Sequence, residues 1–232
     1  SDLKLKMGLQ ITRRLACLCF GLATVGAAFA LPARAAETDP EKFLGALAHE
    51  AVTVLRRDDL EPASRAQEFR KLLRRGFDLP AVSRFVLGRY WRRASELERD
   101  EFTQLFEDYV VAIYGRRLGH HVGAELRVIG HRSDGENGAI VHSEIAPGKG
   151  SVIKLDWRLR QRINGWRVVD IMVEGGSLAL AQRSEFATVI RSNGGQVSGL
   201  LEKLRKKTQM LALNQGDHTG NPRPTNATIS TQ

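Results

Sequence analysis

"SVIKLDWRLRQRINGWRVVDIMV", residues 151–173, alternates apolar and polar side chains along two stretches. In the first stretch Ile153, Leu155, Trp157 and Leu159 are apolar, and the residues between them are charged. A period of two is typical of a β-strand with one buried face and one solvated face. The segment "RING" between the stretches is short enough for a hairpin turn. These residues therefore predict two neighbouring antiparallel strands.

The same period extends toward the N-terminus. "AELRVIG" (124–130) and "AIVHSEI" (139–145) also read as strands, and the turn-rich segments "HRSDGENG" and "APGKG" follow them. Short turns between consecutive strands favour an antiparallel meander. The sequence thus predicts a sheet of four strands.

Helical periodicity precedes the strands. Residues 40–57 and 62–76 each carry an apolar stripe, and Asp78 can cap a short, mostly apolar third helix. In "SELERDEFTQLFEDYVVAIYGRRLG" (95–119), Ser95 and Glu98 form a capping box, and Gly119 is a stop signal. That helix has a broad apolar stripe of Phe102, Leu105, Phe106, Tyr109, Val110, Ile113 and Tyr114. Such a stripe suits either a packed core or the wall of a pocket.

Two further helices are predicted after the sheet, over 178–192 and from Val197 to about Gln209, separated by "NGG". Helices before and after an antiparallel meander indicate an α+β domain in which helices cover one face of the sheet. The pattern alone leaves a filled core and an apolar cavity both open, because both are lined by apolar side chains.

Residues 1–35 have the features of a cleaved signal peptide. Four basic residues precede an uncharged run over 15–32, and "ARA" at 33–35 places small residues at a cleavage site. We therefore predict export to the periplasm, a single domain over 36–209 and a disordered polar tail over 210–232. Both cysteines, Cys17 and Cys19, lie in the leader, so the mature domain must be stabilised by an ordinary hydrophobic core.

The chain is basic, with a formal net charge of +9, and removal of the leader's five basic residues and one acidic residue leaves +5. An exported basic protein meets anionic lipid headgroups and acidic protein surfaces rather than nucleic acid. Four arginine pairs, Arg56-Arg57, Arg74-Arg75, Arg92-Arg93 and Arg116-Arg117, are candidates for such docking. Their simpler interpretation is that they complement helix dipoles and solvate the surface.

Motifs for chemistry are lacking in the sequence. The six histidines form no metal-binding spacing, and no nucleophile elbow, phosphate loop or dinucleotide fingerprint is present. Asp156, Asp170 and Glu174 could act as a general base beside an apolar cavity, although each could equally pair with arginine or cap a helix. We predict a protein that is not an enzyme and needs no metal or cofactor.

From about Phe43 to Lys206 the chain resembles the MlaC-type periplasmic lipid-binding proteins, also called the toluene-tolerance family. "FRKLLRRGFDLPAVSRFVLGRYWRRASELERDEFTQLFEDYVVAIYGRRL" (69–118) is similar to the family's pattern of a Phe-Asp helix, a Leu-Gly, a Trp and a capped F-x-x-x-F helix. "WRVVDIMVEGGSLALAQRSEF" (166–186) is similar to its closing Trp-x-Val-x-Asp and Glu-Gly-x-Ser pattern. Gly176 and "ALAQRSEF" depart from the usual family residues, which leaves the hopanoid-associated branch of the family open.

The resemblance implies a strongly twisted sheet wrapped by several helices around an apolar lipid cavity. It also implies a carrier that moves a phospholipid or hopanoid between an inner-membrane Mla-type ABC transporter complex and an outer-membrane lipoprotein complex. Apolar faces that must converge predict the lipid-binding wall, which we assign to Phe85, Val86, Phe102, Phe106, Tyr109, Val110, Ile113, Leu155, Trp157, Trp166, Val168 and Phe186. Two alternatives are a cone-shaped α+β enzyme similar to ketosteroid isomerases and a structural module with a filled core.

Overall fold

Helices flank an antiparallel sheet on both sides in sequence. The computed structural model describes residues 38–57, 59–119, 125–146 and 151–216. Its helices are α1 (Pro40–Leu55), α2 (Pro62–Gly76), α3 (Leu79–Leu87), a 3₁₀ helix (Gly88–Arg92), α4 (Glu96–Gly119), α5 (Leu178–Ser192) and α6 (Val197–Gly216). Its strands are β1 (Glu125–Ser133), β2 (Gly138–Ala146), β3 (Ile153–Arg162), β4 (Gly165–Val173) and β5 (Gly176–Ser177). The predicted α+β class is confirmed, and the predicted signal peptide lies outside the described residues.

The sheet has the order β1-β2-β3-β4-β5 with every neighbouring pair antiparallel, so the prediction of four strands is wrong by one. The extra strand, β5, pairs Gly176 and Ser177 with the end of β4. It forms because Glu174 and Gly175 have φ values of 48° and 82°. Positive φ at both central residues matches the twist of a two-residue hairpin turn, and Glu-Gly is a weaker sequence signal for that turn than Asn-Gly.

A β-bulge changes which residues of β4 face the helices. Leu159 pairs with Val168, whereas Arg158 pairs with Asp170, so Val169 is an extra residue in β4. An extra residue reverses the alternation of side chains and increases the local twist. Val168 and Ile171 consequently both pack in the apolar cluster under α1, although their odd spacing would otherwise place them on opposite faces.

The helix starts follow local signals that were predicted from the sequence. Asp78 Oδ1 accepts the Ala81 N–H at 3.1 Å at the start of α3. At the start of α4, Ser95 N–H donates to Glu98 Oε2 at 2.9 Å, and Glu98 N–H donates to Ser95 Oγ at 3.2 Å. These contacts confirm the cap and the capping box, since each satisfies an amide that the helix leaves unpaired.

The C-terminal helix is longer than predicted. It continues to Gly216 rather than ending near Gln209, so the prediction of disorder from residue 210 is wrong for 210–216. Met210, Leu211, Ala212 and Leu213 are good helix formers and extend the helix beyond its packed part. Residues 217–232 lie outside the described residues. None of the helices in the described ranges is long and apolar enough to cross a membrane.

The interior is divided among three apolar clusters. The largest joins α3, α4, α5 and α6, where the Phe102 and Phe186 rings meet edge to face at 5.7 Å. A second cluster packs Leu44 of α1 on the sheet. The third packs α2 against α4 around Phe69 and Val111. Helices and sheet therefore meet along three separate contacts, and space is left where the three clusters approach one another.

The buried Ser83 hydroxyl should cost stability. Ser83 of α3 is fully buried, and its Oγ has no hydrogen-bond partner among the described residues. Ser83→Ala removes a desolvated polar group and improves helix propensity, so we expect the free energy of unfolding to rise by about 0.5–1 kcal/mol. Urea denaturation of the two proteins measures this change. A decrease of similar size would contradict the absence of a partner.

Candidate functional site

An apolar cavity of about 190 Å³ lies where the three clusters meet. Five helices and the strands β3 and β4 form its wall. The lining residues are Leu44, Leu47, Ala48, Ala51, Phe69, Leu72, Leu73, Phe77, Leu79, Val82, Val86, Phe106, Tyr109, Val110, Tyr114, Trp157, Val169, Asp170, Ile171, Leu178, Ala179 and Gln182. Most of these side chains are hydrocarbon, so the cavity offers little to a polar ligand. A cavity of about 150 Å³ with such walls stays dry and binds benzene, so this one is suited to hydrocarbon.

The polar groups of the wall are few, and those with visible partners are already engaged. Trp157 Nε1 donates to Ser143 Oγ at 2.9 Å, and Gln182 Nε2 donates to Glu185 Oε2 at 3.2 Å. The lining also includes the hydroxyl-bearing side chains of Tyr109 and Tyr114. These contacts direct the polar atoms of Trp157 and Gln182 to the protein and leave their apolar parts for the wall.

Asp170 is the one carboxylate of the wall, and the chain itself occupies both of its oxygens. Oδ1 accepts the N–H groups of Ile171 at 2.9 Å and Ala179 at 3.1 Å. Oδ2 accepts the Ser177 hydroxyl at 2.6 Å. Ser177 Oγ in turn accepts the Leu180 N–H at 3.0 Å and caps α5. Asp170 thus holds the start of α5 against β4, which is a structural role.

The other two carboxylates considered as general bases do not reach the cavity. Asp156 Oδ1 lies 2.8 Å from His142 Nδ1 across β2 and β3. Glu174 is exposed, and its Oε1 accepts the Lys154 N–H at 2.8 Å. Within the part of the chain that the structure describes, no three His, Cys, Asp or Glu residues are grouped so that they could hold a metal ion. Proton transfer in the cavity would therefore rest on Asp170 alone among these three.

The structure brings five of the twelve predicted wall residues to the cavity. They are Val86, Phe106, Tyr109, Val110 and Trp157. The predicted aromatic stripe of α4 therefore serves two purposes: Phe106, Tyr109 and Val110 line the cavity, whereas Phe102 is fully buried in the neighbouring cluster. A helix stripe wider than one wall is shared between two neighbours.

The remaining seven predictions place a residue on the wall where the structure places it elsewhere. Phe102 and Phe186 fill the cluster between α4 and α5, and Val168 is buried in the cluster under α1. Leu155 is buried on β3 and Ile113 is half-buried on α4, but neither lines the cavity. Trp166 donates its Nε1–H to the Thr38 carbonyl at 2.9 Å. Phe85 faces outward and is 40% exposed. Packing against other elements, which periodicity does not report, accounts for these differences.

Sequence reasoning missed the part of the wall that comes from α1 and α2. The missed residues on these two helices are Leu44, Leu47, Ala48, Ala51, Phe69, Leu72 and Leu73. A signal for them was present, because both helices carry apolar stripes at helical spacing. That signal indicates a buried face and does not indicate whether the face meets another side chain or a void.

Comparisons with known proteins agree with this architecture. The sequence profile of the family described as MlaC protein matches residues 46–206. A solved structure described as the phospholipid-binding protein from Ralstonia solanacearum, in complex with a phospholipid, superposes with a TM-score of 0.66. It is 22% identical over 75% of this chain and 99% of that chain. At this identity the likeness shows that the two proteins share a fold.

Proposed function

The chain belongs to the MlaC protein family, and from this we infer that it is a periplasmic lipid carrier whose cavity holds the acyl chains of a phospholipid. The apolar cavity between the helices and the sheet is the observation that carries this proposal. The phospholipid bound to the Ralstonia solanacearum protein of the same fold supports it. The few polar groups of the wall leave the headgroup to be accommodated outside the cavity.

The energetics of hydrocarbon burial make such a carrier effective. Two acyl chains contain about 30 methylene groups, and at about 0.8 kcal/mol each their removal from water is worth up to about 24 kcal/mol. Release into water is therefore negligible. Transfer from a bilayer to an apolar cavity is close to neutral, because both environments are hydrocarbon. Direct transfer at a docked membrane complex then needs no nucleotide hydrolysis by this protein.

Loading requires the cavity to widen. Its volume of about 190 Å³ is below the range of about 300–1,000 Å³ typical of sites for drug-sized ligands. A two-chain lipid is larger than such ligands, so we expect the wall elements to separate when it enters. The division of the interior into three clusters allows this, because separation along one contact leaves the other two intact.

We assign no catalytic role to the cavity. A general base needs an accessible oxygen within reach of the proton it removes. Both Asp170 oxygens accept hydrogen bonds from the chain, and Asp156 and Glu174 lie outside the cavity wall. The carrier would exchange its lipid with an inner-membrane Mla-type ABC transporter complex and an outer-membrane lipoprotein complex.

Lipid extraction tests this proposal. Purified protein is denatured and extracted with organic solvent, and the extract is analysed by mass spectrometry; an unrelated exported protein purified in parallel is the control. We expect phospholipid at close to one molecule per protein and only background in the control. Hopanoid in place of phospholipid would assign the chain to the hopanoid-associated branch. An empty extract from well-folded protein would contradict the carrier proposal and favour a filled module.

A further inference from the structure

A second concave surface lies on the outer side of α3, the 3₁₀ helix and α5. Arg84, Arg89, Arg92, Arg183, Phe85 and Trp91 line it, and these six residues are termed the basic face below. No carboxylate lines this concavity. Four guanidinium groups around one concavity create a strongly positive surface, and guanidinium is the side-chain group best matched to phosphate oxygens.

The arginines of the basic face differ from those elsewhere on the surface. Arg57, Arg74 and Arg75 of the predicted docking pairs form ion pairs with Asp59, Glu107 and Glu50. In the described part of the chain, by contrast, Arg84, Arg89, Arg92 and Arg183 form no ion pair with a carboxylate. The side chains of Arg116 and Arg117 lie outside the described residues. Charge on the basic face is therefore available to an external anion.

Two of these arginines are held in place by the protein. Arg89 Nη2 donates to the Tyr90 hydroxyl at 2.9 Å. Arg183 lies over the Phe85 ring, 5.2 Å from its centre, and beside Gly88. A side chain at Gly88 would place Cβ 2.8 Å from Arg183 Nε, so the glycine makes room for the guanidinium. Such positioning lowers the entropy lost when the arginines bind a ligand.

The potential of this region acts on its one tyrosine hydroxyl. The hydrogen bond from Arg89 lowers the pKa of Tyr90, and the charges of Arg89, Arg191 and Arg93 lower it further. Positive charge therefore extends beyond the four lining arginines. A surface of this sign attracts anions over roughly a Debye length, about 10 Å at 0.1 M salt.

Exposed apolar side chains accompany the charge. Phe85 is 40% exposed, and Leu180, one turn before Arg183 on α5, is 54% exposed. Arginine beside exposed aromatic and aliphatic side chains is typical of surfaces that lie on a bilayer, where apolar groups enter the headgroup boundary. An acidic protein segment would use the arginines but would give no reason for the exposed Phe85 and Leu180.

We propose that the basic face is a docking site for an anionic bilayer surface, with its arginines bound to lipid phosphates and with Phe85 and Leu180 in the headgroup boundary. The docking does not depend on what fills the cavity. A consequence that does rest on the proposed carrier function follows from the shared helices. Val82 and Val86 of α3 line the cavity on the side opposite Arg84 and Phe85. Docking therefore brings the cavity wall within one helix diameter, about 10–12 Å, of the membrane.

Vesicle sedimentation tests the docking. The whole protein is mixed with vesicles of phosphatidylglycerol and phosphatidylcholine in equal parts, or of phosphatidylcholine alone, at about 0.01 M and about 1 M salt. We expect binding to the anionic vesicles at low salt only. The double change Arg84→Glu with Arg92→Glu should lower that binding at least about tenfold, since each basic residue near an anionic surface contributes substantially to binding.

Arg132→Glu with Lys207→Glu is the matched control, because it changes the net charge equally at exposed positions of β1 and α6. We expect it to lower binding less than threefold, as a weak effect of net charge. Phe85→Ser keeps every charge and should still weaken binding, which a purely ionic contact with inorganic phosphate would not show. All variants should keep the wild-type melting temperature and lipid content.

Three results would overturn the proposal. Equal loss of binding in the control and in the Arg84/Arg92 variant would reduce the effect to net charge. Equal binding to both kinds of vesicle would exclude phosphate recognition by the arginines. Binding to polyglutamate without binding to either vesicle would assign the basic face to an acidic protein partner. Lipid extraction of the same preparations reports on the cavity separately, so failure of docking and failure of the carrier proposal are distinguishable.

Discussion

Val110→Trp should abolish most lipid binding while leaving the fold intact. Val110 lies on α4 and contributes to the cavity wall. The larger ring can occupy the void, so the volume available to acyl chains decreases without displacing packed neighbours. We expect the lipid recovered per protein to fall at least about tenfold, and the free energy of unfolding of the lipid-free protein to change by less than about 1 kcal/mol. Mass spectrometry and urea denaturation measure the two quantities.

Val168→Trp is the matched control for the cavity. Val168 is fully buried in the cluster under α1 and does not line the cavity. The added volume there has no void to occupy, so we expect a loss of about 1–3 kcal/mol or more in the free energy of unfolding. Both measurements use protein stripped of lipid, because a ligand that binds the folded state raises apparent stability. Full lipid content in Val110→Trp together with a large loss of stability would contradict the assignment of the wall.

Asp170→Ala should destabilise the protein more than any other single loss of a carboxylate on the sheet discussed above. Asp170 is 9% exposed and accepts hydrogen bonds from Ile171, Ser177 and Ala179. Alanine leaves these donors without their acceptor, and each unsatisfied buried group costs about 1–3 kcal/mol. We expect a total loss of about 2–4 kcal/mol, with α5 released from β4, because donors that reach water recover part of the cost. Urea denaturation gives the total, and hydrogen exchange at the Ala179 and Leu180 amides shows where the opening occurs.

Asp156→Ala provides the comparison for this change. The Asp156 carboxylate also lies on the sheet, but its side chain is 38% exposed and contacts the half-exposed His142. A partly exposed pair of this kind contributes little, so we expect a loss below about 1 kcal/mol. A stable Asp170→Ala protein that had lost a turnover of an apolar substrate would instead support the enzyme alternative.

Predictions from the sequence were most accurate at helix starts. Asp78, Ser95 with Glu98, and Ser177 all cap the helices that follow them, as expected from residue type alone. A cap is formed by residues two to three positions apart, so its energy depends on local sequence and little on the rest of the fold. The end of α6 was less predictable, because a helix that leaves the packed core ends gradually.

The composition of the wall was less accessible, and the reason lies in contacts between distant segments. Trp157 and Leu155 are two residues apart on one face of β3, yet only Trp157 lines the cavity. Their alternation with charged residues is identical in sequence. What differs is the element packed above each side chain, and that depends on residues more than a hundred positions away in α1 and α2.

By itself the sequence determined the element types, their order, the helix caps and the antiparallel meander, because periodicity and turn chemistry act over a few residues. Only the tertiary structure decided that β4 gains an extra residue at Val169, that β5 pairs with β4, and that three apolar clusters enclose a void. Each of these depends on how segments far apart in the chain meet. An apolar face is written the same way whether it meets another side chain or an empty space, so only packing distinguishes a filled core from a cavity that can hold lipid.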